Sequence, residues 1–179
     1  MPSLVGSEMC IRDSHEPEAL QPVYNAMTMI GYDAITLGNH DFDYGYDYLV
    51  NQLETSGLEQ SCVLSNVYSA ADNKSIFGVE NKIIEKNITN DEGQVMTVKV
   101  GILGETVPSL SSKTEKYKGK LVTEDILENA KKQAAALKKK GADIVIALAH
   151  SGFGTDNPKK KAGDMAYMLT TVSLSLIHI

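Results

Sequence analysis

The stretch "GYDAITLGNH", Gly31 to His40, returns in outline as "GADIVIALAH", Gly141 to His150. Each begins with a glycine, places Asp two positions on, runs through apolar residues and reaches a histidine nine residues after the glycine. Each glycine also follows a segment with helical character. From Glu18 to Ile30, apolar Leu20, Val23, Met27 and Ile30 recur at helical spacing. Before Gly141, Thr123 fits a helix cap, Glu124 and Asp125 fall in the first turn, and Lys138 to Lys140 close the last, charges that complement a helix dipole. Gly31 and Gly141 then suit the left-handed position beyond a helix end. The runs that follow, "DAITL" (33–37) and "DIVIALA" (143–149), are short and apolar, as buried parallel strands are. Helix, glycine, strand and polar turn, met twice, predict the α/β class, a layered sheet covered by helices. They also predict two histidines just past the carboxyl ends of parallel strands, the edge where open α/β sheets bind ligands.

The first of these histidines stands in "LGNHDFDYG", Leu37 to Gly45. Gly, Asn and Asp are ordinary turn formers, and a lone histidine in such a turn is commonly just solvated. Position argues against that reading here. Apart from His15 and His178 near the two ends, the chain has only His40 and His150. Both fall at the same predicted edge.

The remaining elements fit this class. Tyr46 to Glu54 reads as a helix stopped by Gly57, and "CVLSN", Cys62 to Asn66, as a strand. Lys82 to Ile88 and Gln94 to Leu103 read as strands, joined through "TNDEG" as a hairpin turn. "GETVPSLSSKTEKYKGK" (104–120) and "HSGFGTDNPKKKAGD" (150–164) are polar loops, and a short helix is expected near Met165 to Leu169. The lysines at 138–140 and 159–161 read as solvated surface rather than a binding patch. Asp33 and Asp143 read as strand-entry residues, Phe42 and Tyr44 as packing groups, and Cys62 as a buried strand residue.

The two ends follow a different logic. One set of codons for "MCIRDS", Met9 to Ser14, reads on the opposite strand in a shifted frame as "LSLIH", and the chain ends in "LSLIHI", Leu174 to Ile179. Shared DNA on opposite strands is expected of an adaptor flanking an insert, and it resembles a transposon-based sequencing adaptor whose upstream part would read "LVGSE", as Leu4 to Glu8 do. Residues 1–14 and 174–179 are therefore expected to be adaptor-derived, leaving 15–173 as native sequence, an internal part of something longer. Setting aside Arg12, Glu8 and Asp13 from the 17 basic and 23 acidic residues leaves 16 lysines against 21 acids, a net charge of −5 with no arginine. Such a chain is poorly suited to gripping a nucleic-acid polymer. Cys62 is then the one native cysteine, and a single cysteine says little about redox compartment. No apolar run reaches the about 18 residues of a membrane span.

"GYDAITLGNHDFDYG" resembles the Asn-His block of the calcineurin-like metallophosphoesterases, specifically the group of 5′-nucleotidases and 2′,3′-cyclic-nucleotide 2′-phosphodiesterases. "KKKGADIVIALAHSG" resembles the same group's second block, where a strand ends in a metal-binding histidine followed by Ser-Gly. The intervening "VKVGILGETVP" also fits, and the resemblance covers nearly all of 15–173. It implies a layered sheet sandwich holding two divalent ions, Mn, Zn or similar, that clamp a phosphate ester and supply hydroxide for in-line attack. Residue by residue, Asn39 looks like a metal ligand through its side-chain oxygen and His150 like a ligand of the same metal. His40 looks like the catalytic histidine that stabilises the phosphoryl oxygens and assists the leaving oxygen. Asp43 looks like its orienting partner, since a carboxylate beside an imidazole sets its tautomer. Asp41 looks like a loop-bracing or outer group, where many relatives have Glu. Asn66 sits where relatives place a residue at the edge of the site, in contact with substrate or one shell out.

The departures are as informative. The family's Asp-x-His and Gly-Asp metal blocks precede the Asn-His block and are not found here. Its Gly-His-x-His block would begin shortly after Val172, and the C-terminal nucleotide-binding domain is absent from the stretch. Two of about seven metal ligands are thus expected in this chain, which by itself is expected to be inactive. "QPVYNAM" and "VTEDILENAKK" are most similar to the cyclic-nucleotide branch. Asp43 is instead typical of the 5′-nucleotidase branch, the other commonly having Asn there. The resemblance implies an exported enzyme, in the periplasm, cell wall or medium, acting on nucleotides or cyclic nucleotides. The alternative from a different class is a non-catalytic α/β binding module in which the "GNH" segment is only a turn.

Overall fold

A computed structural model describes residues 22–108, 110, 117, 120–152 and, as backbone only, 175–178. The expected helix near 165–169 and the stretch 1–14 lie outside the described residues. Helix α1 (Pro22–Ile30) opens on proline, whose fixed φ and missing N–H suit a first helical position. It ends at Gly31, whose φ of 75° lets its N–H reach back to the carbonyls of Met27 and Thr28. The buried stripe of α1 differs from the predicted one. Tyr24 and Met27 face inward, whereas Ile30 is 63% exposed. The second helix, α2 (Tyr46–Ser56), buries Leu49 and Leu53 and ends at the left-handed Gly57.

Strands β1 (Val67–Ser69) and β4 (Leu121–Thr123) form an antiparallel ribbon. The longer strands β2 (Asn81–Thr89) and β3 (Val95–Glu105) form the predicted hairpin, its turn held by Asn90 Oδ1 accepting from the N–H groups of Glu92 and Gln94. Helix α3 (Ile126–Lys139) carries the chain to β5 (Ile144–Ala149), which pairs in parallel with β3 from Val100↔Ile144 to Glu105↔Ala149. The cap of α3 is Asp125, not the predicted Thr123. Asp125 accepts from the N–H groups of Leu127 and Glu128, while Thr123 belongs to β4 and donates to the Pro108 carbonyl. A cap contributes about 1 kcal/mol. The buried face of Ile126, Ala130 and Leu137 contributes several times as much, so packing rather than capping places this helix.

A final strand, β6 (Ser175–His178), extends the sheet to the order β2-β3-β5-β6, parallel to β5. It falls on the stretch set aside above as adaptor-derived. Strand pairing joins main-chain groups that every residue carries, so the free edge of β5 accepts an extended stretch whatever its origin.

"DAITL" and "CVLSN" are extended but do not form regular strands. Ile35 bridges Cys62 and Val63 bridges Val79, each as an isolated parallel pair. These segments form the second layer. Leu103 of β3 packs with Val145 and the α3 residues Ile126, Ala130 and Leu137. Its neighbour Ile102 points the other way, onto Ala34, Val63 and Leu148. Beyond that layer, Ile35, Leu37 and Leu64 pack with Tyr24, Met27, Leu49 and Leu53. The order is α3, sheet, paired extended segments, then α1 and α2: a sandwich with helices on both outer faces. The two inner layers meet so closely at Gly104 that an added Cβ would stand 1.9 Å from the Val63 carbonyl oxygen. Only glycine fits there.

Candidate metal and phosphoryl site

Both predicted histidines lie at the carboxyl edge. His150 follows β5 directly, and its N–H donates to the carbonyl of Glu105 at the end of β3. The imidazole is buried, 7% exposed, with Nε2 2.9 Å from Oδ1 of Asn39. This approach depends on Gly38. A Cβ there would stand 3.0–3.2 Å from three atoms of the His150 ring, so the ring lies against the bare glycine backbone. Gly38 does not have positive φ; the need for glycine is steric.

His40 occupies the turn that follows, and its Nδ1 lies 2.9 Å from Oδ2 of Asp43. Both side chains are more than half exposed. The main chain supports this pairing, since the Asp43 N–H donates to the His40 carbonyl at 3.1 Å. With Nδ1 engaged, Nε2 is the ring nitrogen left to meet a ligand.

The turn is held at two points. Asp41 accepts from the Gly38 N–H at 2.7 Å through Oδ2 and from the Tyr24 hydroxyl at 2.8 Å through Oδ1. Burial pushes the Asp41 carboxyl up to about 6, opposed by those two hydrogen bonds. Burial and the Asp41 charge raise the Tyr24 hydroxyl. Further along the turn, the Tyr117 hydroxyl donates to the Phe42 carbonyl at 2.7 Å. Burial pushes Tyr117 up to about 12. Phe42 itself is buried, edge-on to Phe77 and Tyr117, whereas Tyr44 is 40% exposed and stacks obliquely on Tyr48.

Asn66 is fully buried at the end of "CVLSN". Its Oδ1 accepts from the Thr106 N–H at 3.0 Å, and its Nδ2 donates to the carbonyls of Thr106 at 2.8 Å and Glu124 at 3.4 Å. The amide thus ties the strand end to the segments after β3 and β4. Asp33 pairs with Lys86 at the start of the extended "DAITL" segment, and Asp143 accepts from the Lys99 N–H at the start of β5, as predicted.

Sequence reading missed Tyr24, Tyr117, Gly38 and Glu105. Tyr24 stands three residues before Met27 on the helical stripe, a spacing that could have marked it as inward-facing. Nothing local marks Tyr117, which reaches its partner across 75 positions. Glu105 is fully buried at the end of β3, and among the described residues neither carboxyl oxygen has a hydrogen-bond partner. Burial raises it well above the carboxylate range, the nearby Glu124 and Asp125 adding to the shift and Lys132 opposing it.

Asn39 and His150 fit a shared divalent ion. Two ligands each about 2.0–2.2 Å from one ion, at right angles, stand about 3 Å apart, and the observed separation is 2.9 Å. Amide oxygen with imidazole suits a borderline metal. Among the described residues, no three His, Cys, Asp or Glu side chains form a complete metal cluster.

No family model matches the chain. It is similar to the 2′,3′-cyclic-nucleotide 2′-phosphodiesterase/3′-nucleotidase of Salmonella typhimurium, with 34% identity over 154 residues, 86% of this chain and 23% of the relative. It is also similar to the 5′-nucleotidase of Vibrio cholerae, with 32% identity over 134 residues, 74% of this chain and 22% of the relative. The crystal structure of calcineurin-like phosphoesterase YfkN from Bacillus subtilis superposes with a TM-score of 0.80 at 29% identity, covering 90% of this chain and 48% of that one. The chain belongs to the calcineurin-like phosphoesterases. It spans less than a quarter of the length of these two curated relatives. Within this calcineurin-like phosphoesterase chain, no helix among the described residues is long and apolar enough to cross a membrane.

Proposed function

We propose that the full-length protein hydrolyses phosphate esters of nucleotides with a pair of divalent ions. One observation carries this: the 2.9 Å approach of Asn39 Oδ1 to His150 Nε2 at the same strand edge as the His40–Asp43 pair. Asn39 and His150 would hold one ion. When bound, the ions polarise the ester and activate the attacking water. The chain's own groups supply the rest. Asp43 holds the Nδ1 proton of His40 and orients the ring. The exposed Nε2 is placed to donate to a phosphoryl oxygen and then to the departing oxygen. Asp41 holds the turn, and the fully bonded Asn66 amide supports a bracing role at the edge of the site rather than substrate contact.

The 2′,3′-cyclic-nucleotide branch is the preferred substrate class, supported by the name and 34% identity of the Salmonella relative. An exported enzyme is proposed with it. The test is turnover by the full-length protein, loaded with Mn(II), on 2′,3′-cyclic AMP, 3′-AMP and 5′-AMP. Metal-dependent hydrolysis is expected, fastest on the cyclic ester. A binding module of the same fold would turn over none of the three and take up no stoichiometric pair of ions.

A further inference from the structure

The Asn39–Asp43 turn hangs from two tyrosine hydroxyls that reach it from separate parts of the fold. Tyr24, on α1, bonds Asp41 Oδ1 at 2.8 Å, and Asp41 Oδ2 accepts the N–H of Gly38, the residue before Asn39, at 2.7 Å. This linkage ends at the metal side of the turn. Tyr117, from the segment between β3 and β4, donates to the carbonyl of Phe42, the residue before Asp43. That linkage ends at the phosphoryl side. Both residues are almost wholly buried, at 7% and 1% exposure, where a hydroxyl left without a partner is costly.

We propose that Tyr24 and Tyr117 are positioning residues with separate tasks: Tyr24, through Asp41 and Gly38, sets the metal-binding pose of Asn39, and Tyr117, through the Phe42 carbonyl, sets the His40–Asp43 pair. The proposal rests on the phosphoesterase reading above. Groups one shell out from a metal ligand fix its orientation and so its affinity. The Tyr24 linkage is of this kind, because Gly38 also carries the surface on which the His150 ring rests. The Tyr117 linkage ends instead at Phe42, within the segment whose turn bonds join His40 to Asp43.

The test uses the full-length holoenzyme and its Tyr24→Phe, Asp41→Asn and Tyr117→Phe variants. Mn(II) affinity is read by titration calorimetry, kcat and KM on a nucleotide ester by steady-state kinetics, and folding by the melting temperature of each metal-free form. Tyr24→Phe is expected to weaken Mn(II) about 10–100-fold, with kcat near wild type once metal saturates. Asp41→Asn has one acceptor oxygen where Asp41 uses two, so either the Gly38 N–H or the Tyr24 hydroxyl loses its carboxylate acceptor, and it should reproduce the affinity loss even if Tyr24→Phe does not fold. Tyr117→Phe is expected to lower kcat about tenfold or more with unchanged Mn(II) affinity and KM. Equal losses of affinity and kcat in the two tyrosine variants, or a fall in melting temperature with no such split, would overturn the assignment. A wild-type protein that binds no Mn(II) would instead overturn the phosphoesterase reading itself.

Discussion

The imidazole Nε2 of His150 stands 2.9 Å from the side-chain oxygen of Asn39, a residue 111 positions earlier. This contact joins the two strand-end blocks, and the pair it forms is the one proposed to hold a divalent ion. Replacing either residue would remove one proposed ligand while leaving His40 and Asp43 in place. His150→Ala and Asn39→Ala in the full-length protein should each weaken Mn(II) by more than the about 10–100-fold that outer partners cost. Titration calorimetry measures this directly.

Gly38 is the floor under that contact. In Gly38→Ala the new methyl would press on the His150 ring at 3.0–3.2 Å, and the ring must move. Overpacking of this kind costs about 1–3 kcal/mol. The expected result is a lower melting temperature together with weaker metal binding, and Gly38→Ser should behave alike because the cause is steric.

His40 and Asp43 should separate from the metal ligands kinetically. His40→Ala is expected to reduce kcat about 10²–10⁴-fold, the usual contribution of a positioned proton donor, with the metal stoichiometry intact. Asp43→Asn should lose less, since an amide oxygen can still accept the Nδ1 proton. Metal content by elemental analysis alongside kcat distinguishes these variants from His150→Ala.

Asn66 tests the difference between a brace and a substrate contact. Asn66→Ala leaves the buried Thr106 N–H without its partner, and an unsatisfied buried group costs about 1–3 kcal/mol. Chemical denaturation should show this loss, and KM for the nucleotide should stay within about twofold, well under the 1.4 kcal/mol of a tenfold change. A large rise in KM without loss of stability would assign Asn66 to the substrate.

Glu105 makes stability depend on pH with the opposite sign to a salt-bridged carboxylate. Its pKa is raised in the folded state, above all by burial. The folded protein therefore holds a proton that the unfolded chain, with an ordinary pKa of about 4.3, gives up. The stability this residue permits is fully present below that value and falls as pH rises toward the folded-state pKa. Glu105→Gln should remove this slope. Glu105→Leu should raise stability near neutral pH by about 1–3 kcal/mol, the cost of an unpaired buried polar group. Urea unfolding from pH 4 to 8, compared as wild type minus variant, measures both.

Much of this protein was legible in local chemistry. Glycine placement and the charges at its ends marked α3 from sequence alone, because a helix dipole favours acids at its start and bases at its end, and the helix stops where a left-handed residue is needed. The continuous apolar run at 144–149 marked β5, because a strand covered on both faces has no polar side. The order of the "GNH" and "AHSG" blocks brought out Asn39, His40, Asp43 and His150. Other features depend on residues that meet only after folding. "DAITL" reads as a full strand, yet among the described residues it pairs through the isolated Ile35–Cys62 bridge. Asp125 displaced Thr123 as the cap of α3 because β4 pairs with β1 and draws Thr123 into the ribbon. Gly38 and Gly104 look like any loop or strand glycine until the His150 ring and the Val63 carbonyl arrive against them. Sequence alone, through its resemblance to a known family, named the side chains proposed to carry the chemistry, since the motifs that hold them are local. Tertiary structure alone decided what holds them, since Tyr24, Tyr117 and Asn66 act through contacts across 17, 75 and 40 positions, and no local pattern encodes a partner that far away.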